Sequence, residues 1–324
     1  MKSSISPLIN LASSKLGSYG YKANDEFFAP LSRMLLDSEP IFVPDKYDNH
    51  GKWMDGWETR RRRTPGFDWC LIKLGCTGVI KKIDVNTQYF TGNYPPYVSL
   101  EGINTNTIPN ENDKEWTSIL KKTKVSGDSS NIFLSKNKNI YNWVMLKIYP
   151  DGGIARLRLW GDVFKDWKKV SKNKTLELSA LYNCGKIISY NNAHYGDVTA
   201  ILSNGRGKNM GDGWETRRRR NLGNDWLIIE LGNKGYLKEV EVDTAFFKGN
   251  YPESCSIDAA LINSKFKTLN QIKWENIIPK TTLEADKIHK IKIREALSLK
   301  RFSHVRLNIY PDGGVSRFRV FGHI

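Results

Sequence analysis

The sequence predicts an all-β protein that consists of two tandem homologous β-sandwich domains. Its 324 residues suffice for two domains of ordinary size. The string DGWETRRRR occurs at Asp55–Arg63 and again at Asp212–Arg220, an offset of 212 − 55 = 157 residues. Apolar and polar residues alternate in short runs that Gly, Pro and Asn separate, which is the pattern of half-buried strands. Because little of the chain shows helical periodicity, we expect a sandwich in each half.

The repeat covers a whole domain in each half. Further blocks recur at the offset of 157 and, near the end of each copy, at an offset of 161. The matching blocks are Asp68-Trp69 and Asp225-Trp226, Leu74-Gly75 and Leu231-Gly232, Gly92–Pro95 and Gly249–Pro252, and Tyr149–Gly153 and Tyr310–Gly314. A unit of this length is much longer than the roughly 20–50 residues of a solenoid repeat. We expect the first repeat to span residues 1–165, the second 176–324, and a charged linker to occupy 166–175.

Each YPDGG block lies between two alternating runs. In the first copy Val144, Leu146 and Ile148 share one face of the preceding run, and Arg156 and Arg158 lie opposite the apolar face of the following run. Asp-Gly between such runs is a strong hairpin signal, so we expect an antiparallel pair there in both copies. The other predicted strands are Trp69–Leu74, Ile80–Thr87, Trp226–Leu231 and Leu237–Thr244.

The composition and charge of the chain argue against several classes of protein, among them disordered and membrane-spanning proteins. With 40% hydrophobic and 26% charged residues the chain is typical of a folded soluble protein, and no apolar run is long enough to cross a bilayer. Neither a signal peptide nor a peroxisomal address is recognisable, so a cytoplasmic location is expected. The four cysteines lack CxxC spacing, which argues against a disulfide framework and a thiolate zinc site. The net charge of +16 attracts anions of some kind.

The repeated string combines acidic, aromatic and basic side chains within nine residues. Arg holds a planar carboxylate through two parallel hydrogen bonds, and a carboxylate in a cleft can act as a general acid or base. If the arginine run is extended, Arg60 and Arg62 point to one side while Arg61 and Arg63 point to the other. Two alternatives stay open: the acidic residues serve structure by capping and ion pairing, or the arginines neutralise the phosphates of a nucleic acid.

Histidine chemistry is only weakly indicated. The sequence contains no GxSxG, P-loop or HExxH motif, and its five histidines show no metal-ligand spacing. His194 lies in NAHYG, at the position where the first copy has DEFFA (Asp25–Ala29). It is either a packed, hydrogen-bonded residue or part of a site that only one copy has. A divalent ion held by carboxylates and backbone carbonyls is compatible with the sequence, since such sites leave no strict spacing.

Several motifs taken together carry a family resemblance. MDGWETRRRR and GDGWETRRRR, with NDEFFAP, GNYP and HVRLNIYPDGGVSRFRVFG, resemble the allantoicase family over nearly the whole chain. Met54 stands where the second copy has a glycine, which is a small departure. The resemblance implies two jelly-roll, galactose-binding-like β-sandwich domains. It also implies an amidinohydrolase of purine catabolism, in allantoin degradation, that converts allantoate and water into ureidoglycolate and urea.

This reaction suggests roles for the repeated residues. Allantoate is a small carboxylate with two ureido groups on one carbon, so its site requires a cation for the carboxylate, polar groups for the ureas and an acid-base group for C–N cleavage. The candidate catalytic residues are Glu58, Glu215, Asp55, Asp212 and His194. The candidate substrate-binding residues are Arg60, Arg62, Arg217, Arg219, Trp57, Trp214, Asn93 and Asn250.

The expected partner is therefore the small-molecule substrate allantoate, with neither nucleic acid nor membrane. Exposed strand edges permit a homo-oligomer without requiring one. The leading alternative is a non-catalytic tandem carbohydrate-binding module, since related sandwich folds bind sugars and a fold does not fix a function. Urea release from allantoate separates these interpretations, because a sugar-binding module or a nucleic-acid binder would release none.

Overall fold

The computed structural model describes residues 8–262 and 271–324. Residues 1–7, which the sequence assigns to the first repeat, and 263–270, which it assigns to the second, lie outside the described residues. The described chain divides into two compact units, a first unit Leu8–Phe164 and a second unit Lys165–Ile324.

Strands dominate the first unit. They are β1 (Ile9–Asn10), β2 (Tyr19–Ala23), β3 (Tyr47–Asp48), β4 (Gly51–Lys52), β5 (Trp57–Glu58), β6 (Asp68–Asn86), β7 (Tyr97–Ile103), β8 (Thr117–Lys124), β9 (Ser130–Leu134), β10 (Tyr141–Tyr149), β11 (Gly153–Ile154) and β12 (Arg156–Val163). Two short 3₁₀ helices cover Ser14–Leu16 and Leu31–Leu35.

The second unit has the same plan. Its described strands are β13 (Leu176–Glu177), β14 (Lys186–Tyr190), β15 (Trp214–Glu215), β16 (Asp225–Asp243), β17 (Ser254–Ala260), β18 (Glu275–Thr282), β19 (Ile288–Lys292), β20 (Arg301–Tyr310), β21 (Gly314–Val315) and β22 (Arg317–His323). Its described helices are the 3₁₀ turns Trp167–Lys169, Leu181–Asn183 and Val198–Leu202 and the single α-helical turn α1 (Glu295–Ser298).

One long strand links the two layers of each unit. In the first unit the N-terminal half of β6 pairs with β2 and β10, and its C-terminal half pairs with β12 and β9. Strands β7 and β8 extend the layer of β10, while β1 extends the layer of β12. In the second unit β16 makes the equivalent pairings with β14, β20, β22 and β19. Two layers that share a long strand form the predicted sandwich.

Glycines allow the long strands to pass close to neighbouring backbone. A Cβ at Gly75 of β6 would lie 2.5 Å from the carbonyl oxygen of Leu16, and a Cβ at Gly232 of β16 would lie 1.6 Å from that of Asn183. Both glycines belong to the repeated Leu-Gly block. Only a residue without a side chain fits such an approach.

The prediction of a hairpin at YPDGG is wrong. Strand β6 lies between β10 and β12, so the two strands that flank YPDGG belong to different layers. The alternating run that follows YPDGG, Ile154–Trp160, is also divided, because Ile154 belongs to β11 and pairs with Trp57 of the repeated string. The second copy behaves identically, since β21 pairs with β15. The Asp-Gly turn therefore carries the chain from one layer to the other. The residues after it pair with the repeated string and not with the strand that precedes the turn.

The fold class predicted from the sequence, two tandem all-β sandwich units, is confirmed. Val144, Leu146 and Ile148, which alternation places on one face, are fully buried. Arg156 and Arg158 on β12 are buried as well, so a strand that alternates Arg with Leu is covered on both sides. Among the described residues, no helix is both long enough and apolar enough to span a membrane.

Candidate active site

Three repeated motifs meet at one end of the second unit. Thr216 of the string donates its backbone N–H to the carbonyl of Gly313, at 3.0 Å, and the N–H of Arg219 donates to a carboxylate oxygen of Asp312, at 2.7 Å. The N–H of Gly314 donates to the carbonyl of Asn250 in the GNYP block, at 2.8 Å. Backbone hydrogen bonds therefore hold the string, YPDGG and GNYP together, although they are far apart in the sequence.

A cavity of about 590 Å³ opens where these motifs meet. Its lining includes four of the predicted site residues, His194, Glu215, Arg217 and Asn250. Glu253 and Asp312 also line it. The volume lies within the range of about 300–1,000 Å³ that is usual for small-molecule sites. All of these groups belong to the second unit.

The carboxylate of Glu215 is held by its neighbours. The side-chain amide of Asn250 donates a hydrogen bond to its Oε1. The carbonyl of Glu215 accepts the N–H groups of His194, at 2.9 Å, and Tyr195, at 3.3 Å. Since Glu215 also pairs with Gly314 across β15 and β21, its backbone is fixed on both sides. A carboxylate fixed in this way at a cavity wall can transfer protons to or from a bound molecule.

Arg217 supplies a guanidinium at the same wall. Its Nη2 lies 3.3 Å from Nδ1 of His194, and the side chain is exposed. The His194 ring packs edge-on against Tyr195, with 4.2 Å between the ring centroids. A guanidinium fork at a cavity mouth suits a planar carboxylate, because two parallel N–H groups match its two oxygens.

Three predicted candidates of the second unit lie outside the cavity lining. The carboxylate of Asp212 pairs with the buried Arg317, at 2.9 Å. Trp214 is fully buried and donates its indole N–H to the carbonyl of Asn192, at 2.8 Å. Arg219 pairs with the buried Asp225. Each of these side chains is already engaged by the protein.

The corresponding residues of the first unit have the same structural contacts. Asp55 pairs with the fully buried Arg156, at 2.7 Å. Trp57 donates its indole N–H to the carbonyl of Asp25, at 2.9 Å, as Trp214 does to that of Asn192. Arg62 forms an ion pair with Asp68, at 2.8 Å, as Arg219 does with Asp225.

Glu58, the counterpart of Glu215, is buried, whereas Glu215 is half-buried. It accepts a hydrogen bond from the Asn93 amide, at 2.7 Å. Burial raises the pKa of Glu58, and the hydrogen bond from Asn93 opposes that shift in part. Arg60, the counterpart of Arg217, forms an ion pair with Asp25, at 2.6 Å.

Comparison with known proteins identifies the family. The family model described as "Allantoicase repeat" matches residues 9–164 and 176–324. The chain belongs to the allantoicase family. "Probable allantoicase 1" of Burkholderia mallei is 47% identical over 319 residues, covering 97% of this chain and 94% of that protein. "Probable allantoicase" of Acinetobacter baylyi is 43% identical over 329 residues, covering 100% of this chain and 97% of that protein.

A solved allantoicase structure has the same architecture. The crystal structure of allantoicase from Saccharomyces cerevisiae superposes with a TM-score of 0.79 at 33% identity, covering 97% of this chain and 93% of that one. The match covers both units, so this chain shares the presence of two sandwich units with that allantoicase.

Two residues that line the cavity of the second unit were not expected from the sequence. Asp312 lies in YPDGG, whose Asp-Gly suggested only a turn. Glu253 follows GNYP directly, but the first copy has Pro96 there, so the repeat gave no signal for it. Within residues 8–262 and 271–324, no group of three or more His, Cys, Asp or Glu side chains is arranged to hold a metal ion.

Proposed function

We propose that this chain hydrolyses allantoate to ureidoglycolate and urea, as an allantoate amidinohydrolase of allantoin degradation, in the cavity of the second unit. Relatives at 43% and 47% identity over the full length are named as allantoicases, which supports the reaction. The observation that carries the choice of site is the cavity itself. It combines an exposed guanidinium, a carboxylate held by an amide, and an imidazole.

The chemistry of allantoate fits these groups. Its carboxylate pairs with the Arg217 guanidinium, and the chain's net charge of +16 favours the approach of an anion. Its two planar ureido groups present N–H donors and carbonyl acceptors on a single carbon. Asp312 and Glu253 offer acceptors for the ureido N–H groups at the cavity wall.

Glu215 has the position required for proton transfer. In the proposed reaction a bond forms between the water oxygen and the central carbon of allantoate, and the bond from that carbon to one ureido nitrogen breaks. Glu215 accepts a proton from the water and delivers it to the departing nitrogen, so the products are ureidoglycolate and neutral urea. Asn250 keeps Oε1 of Glu215 in place, which directs the carboxylate toward the cavity.

The imidazole of His194 has a positioning role in this scheme. Because its Nδ1 lies 3.3 Å from Nη2 of Arg217, it limits the directions in which the guanidinium fork can point. A fork that is already oriented loses less conformational entropy when the carboxylate binds.

The test is Glu215→Gln, which retains the shape of the side chain and its acceptor for Asn250 but removes proton transfer. We expect kcat for urea release from allantoate to fall by roughly 10²- to 10⁴-fold. The matched control is Glu230→Gln, the same change on an exposed position of β16 outside the cavity lining.

Two results would count against the proposal. Wild-type protein that releases no urea from allantoate would refute the activity. A Glu215→Gln variant with a normal far-ultraviolet circular dichroism spectrum and wild-type kcat would remove Glu215 from the reaction while leaving the activity itself intact.

A further inference from the structure

The two units differ at one structurally equivalent position beside the arginine run. The indole N–H of Trp57 donates to the carbonyl of Asp25, at 2.9 Å, and that of Trp214 donates to the carbonyl of Asn192, at 2.8 Å. Asp25 and Asn192 therefore occupy corresponding sites in the two sandwiches, with a carboxylate in the first and a neutral amide in the second.

In the first unit this carboxylate engages the arginine. Asp25 Oδ2 lies 2.6 Å from Nε of Arg60, and Asp25 Oδ1 accepts the backbone N–H of Arg60, at 3.0 Å. The Arg60 guanidinium lies over the Phe27 ring, 4.7 Å from its centroid. Its charge is compensated and one of its donors is occupied, so it is a poor donor to a second carboxylate.

The charge of the corresponding arginine in the second unit, Arg217, is not compensated in this way. The side chain of Asn192 is a neutral amide, and the Arg217 guanidinium contacts the ring nitrogen Nδ1 of His194. In the part of the chain that the structure describes, Arg217 forms no ion pair. The residue that donates its backbone N–H to the glutamate of the string also differs between the units: Phe28 donates to the carbonyl of Glu58, whereas His194 donates to the carbonyl of Glu215.

We propose that the second unit alone turns over substrate, and that the exchange between Asp25 and Asn192 decides this. In the first unit the Asp25 carboxylate occupies Arg60, so Arg60 does not bind the substrate. In the second unit the neutral Asn192 does not compete for Arg217, which can bind the carboxylate of the substrate. The contribution of Asn192 in this scheme is that it places no carboxylate beside Arg217. The inference rests on the proposed allantoate hydrolysis and specifies which copy performs it.

The experiment transplants the first-unit residue into the second unit. Asn192→Asp is nearly isosteric and leaves the backbone carbonyl that holds Trp214 unchanged. We expect kcat/KM for allantoate to fall roughly 10- to 100-fold, because a charge-assisted hydrogen bond to the new carboxylate competes with the substrate. The loss should appear mainly in KM. Asn192→Ser, which is neutral, should stay within about three-fold of wild type, since it introduces no competing charge.

The first unit provides the matched control. Asp25→Asn is the reverse exchange. It leaves the working second unit unchanged and can at most add a first unit of equal activity, so we expect kcat/KM between one and about two times that of wild type. Thermal unfolding of each variant shows whether it is folded.

The size of the loss distinguishes one working unit from two. If both units worked equally, Asn192→Asp would impair only one of them, and about half of the wild-type kcat/KM would survive. Survival of half or more of kcat/KM, or an equal loss in Asp25→Asn, overturns the inference. Wild-type protein without urea release would instead refute the proposed function, so the two failures are distinguishable.

Discussion

Asp55 and Arg156 form a buried ion pair whose disruption should destabilise the first unit strongly. The Arg156 side chain is fully buried and donates to Asp55 Oδ2, at 2.7 Å, and to the backbone carbonyl of Asp55, at 2.9 Å. Its Nε donates to the carbonyl of Ser38, at 2.9 Å. Asp55→Ala removes the only charge that compensates the guanidinium at these distances among the described residues, and it also removes the acceptor for the N–H of Ile41.

The magnitude follows from burial. Removing one partner of a buried ion pair costs about 3–5 kcal/mol, because the other charge stays desolvated without compensation. For a unit of this size each kcal/mol lowers the melting temperature by about 2–4 °C, so we expect a decrease of roughly 6–20 °C. The same change at Asp212, which pairs with Arg317, should lower the melting temperature of the second unit by a similar amount.

Differential scanning calorimetry measures this effect directly, since the unit that carries the substitution should give a separate transition at lower temperature. Glu39→Gln is the control. Glu39 pairs with Arg158, but its side chain is 77% exposed, and such a pair contributes about 0–1 kcal/mol. If Asp55→Ala melts within about 2 °C of wild type, the guanidinium is hydrated after all and the assignment of Asp55 to the core is incorrect.

Two further predictions concern Glu58 and Gly313. Because burial raises the folded-state pKa of Glu58, its ionisation costs stability as the pH rises. Glu58→Gln, which still accepts from Asn93, should therefore melt higher than wild type at pH 8, with an advantage that vanishes near pH 4, and a pH-independent difference would contradict this. Gly313 has φ +137° and its Cβ would lie 2.7 Å from the carbonyl oxygen of Asn250, so Gly313→Ala should destabilise the second unit by about 1–3 kcal/mol in urea unfolding. Gly249→Ala, where no atom lies within 4 Å of the new Cβ, should change stability by less than about 1 kcal/mol, and equal losses would refute the steric reason.

The fold could be predicted because its main determinants are local and repeated. The alternating residues Val144, Leu146 and Ile148 are fully buried, as expected for the core face of a strand, and the duplicated blocks require two units of the same kind. The pairing of the strands could not be predicted. Asp-Gly in YPDGG is compatible with a hairpin, and nothing within the block indicates that β6, more than sixty residues earlier in sequence, lies between the two flanking strands.

The site could be predicted only in part, because residue type does not reveal burial. Glu215 and Asp212 are both acidic residues of one string, yet the first lines a cavity and the second faces the buried Arg317. Arg217 and Arg219 are likewise separated, since Asp225 engages only the latter. The partners that decide these roles lie elsewhere in the sequence, so the string could not specify which of its members are available.

The identity of the two DGWETRRRR copies is explained mainly by architecture. In both units the Asp pairs with a buried Arg of the last long strand, the Trp is fully buried, and the Thr is hydrogen-bonded to the second-last residue of YPDGG. These contacts are the same in both units, so they hold the string within the fold whether or not the unit binds a substrate. The differences on which the proposed single working unit depends lie outside the string, in Asn192 and His194 against Asp25 and Phe28. A duplicated motif can therefore keep both copies folded while its surroundings pair Arg60 with Asp25 and leave Arg217, among the described residues, without a carboxylate partner.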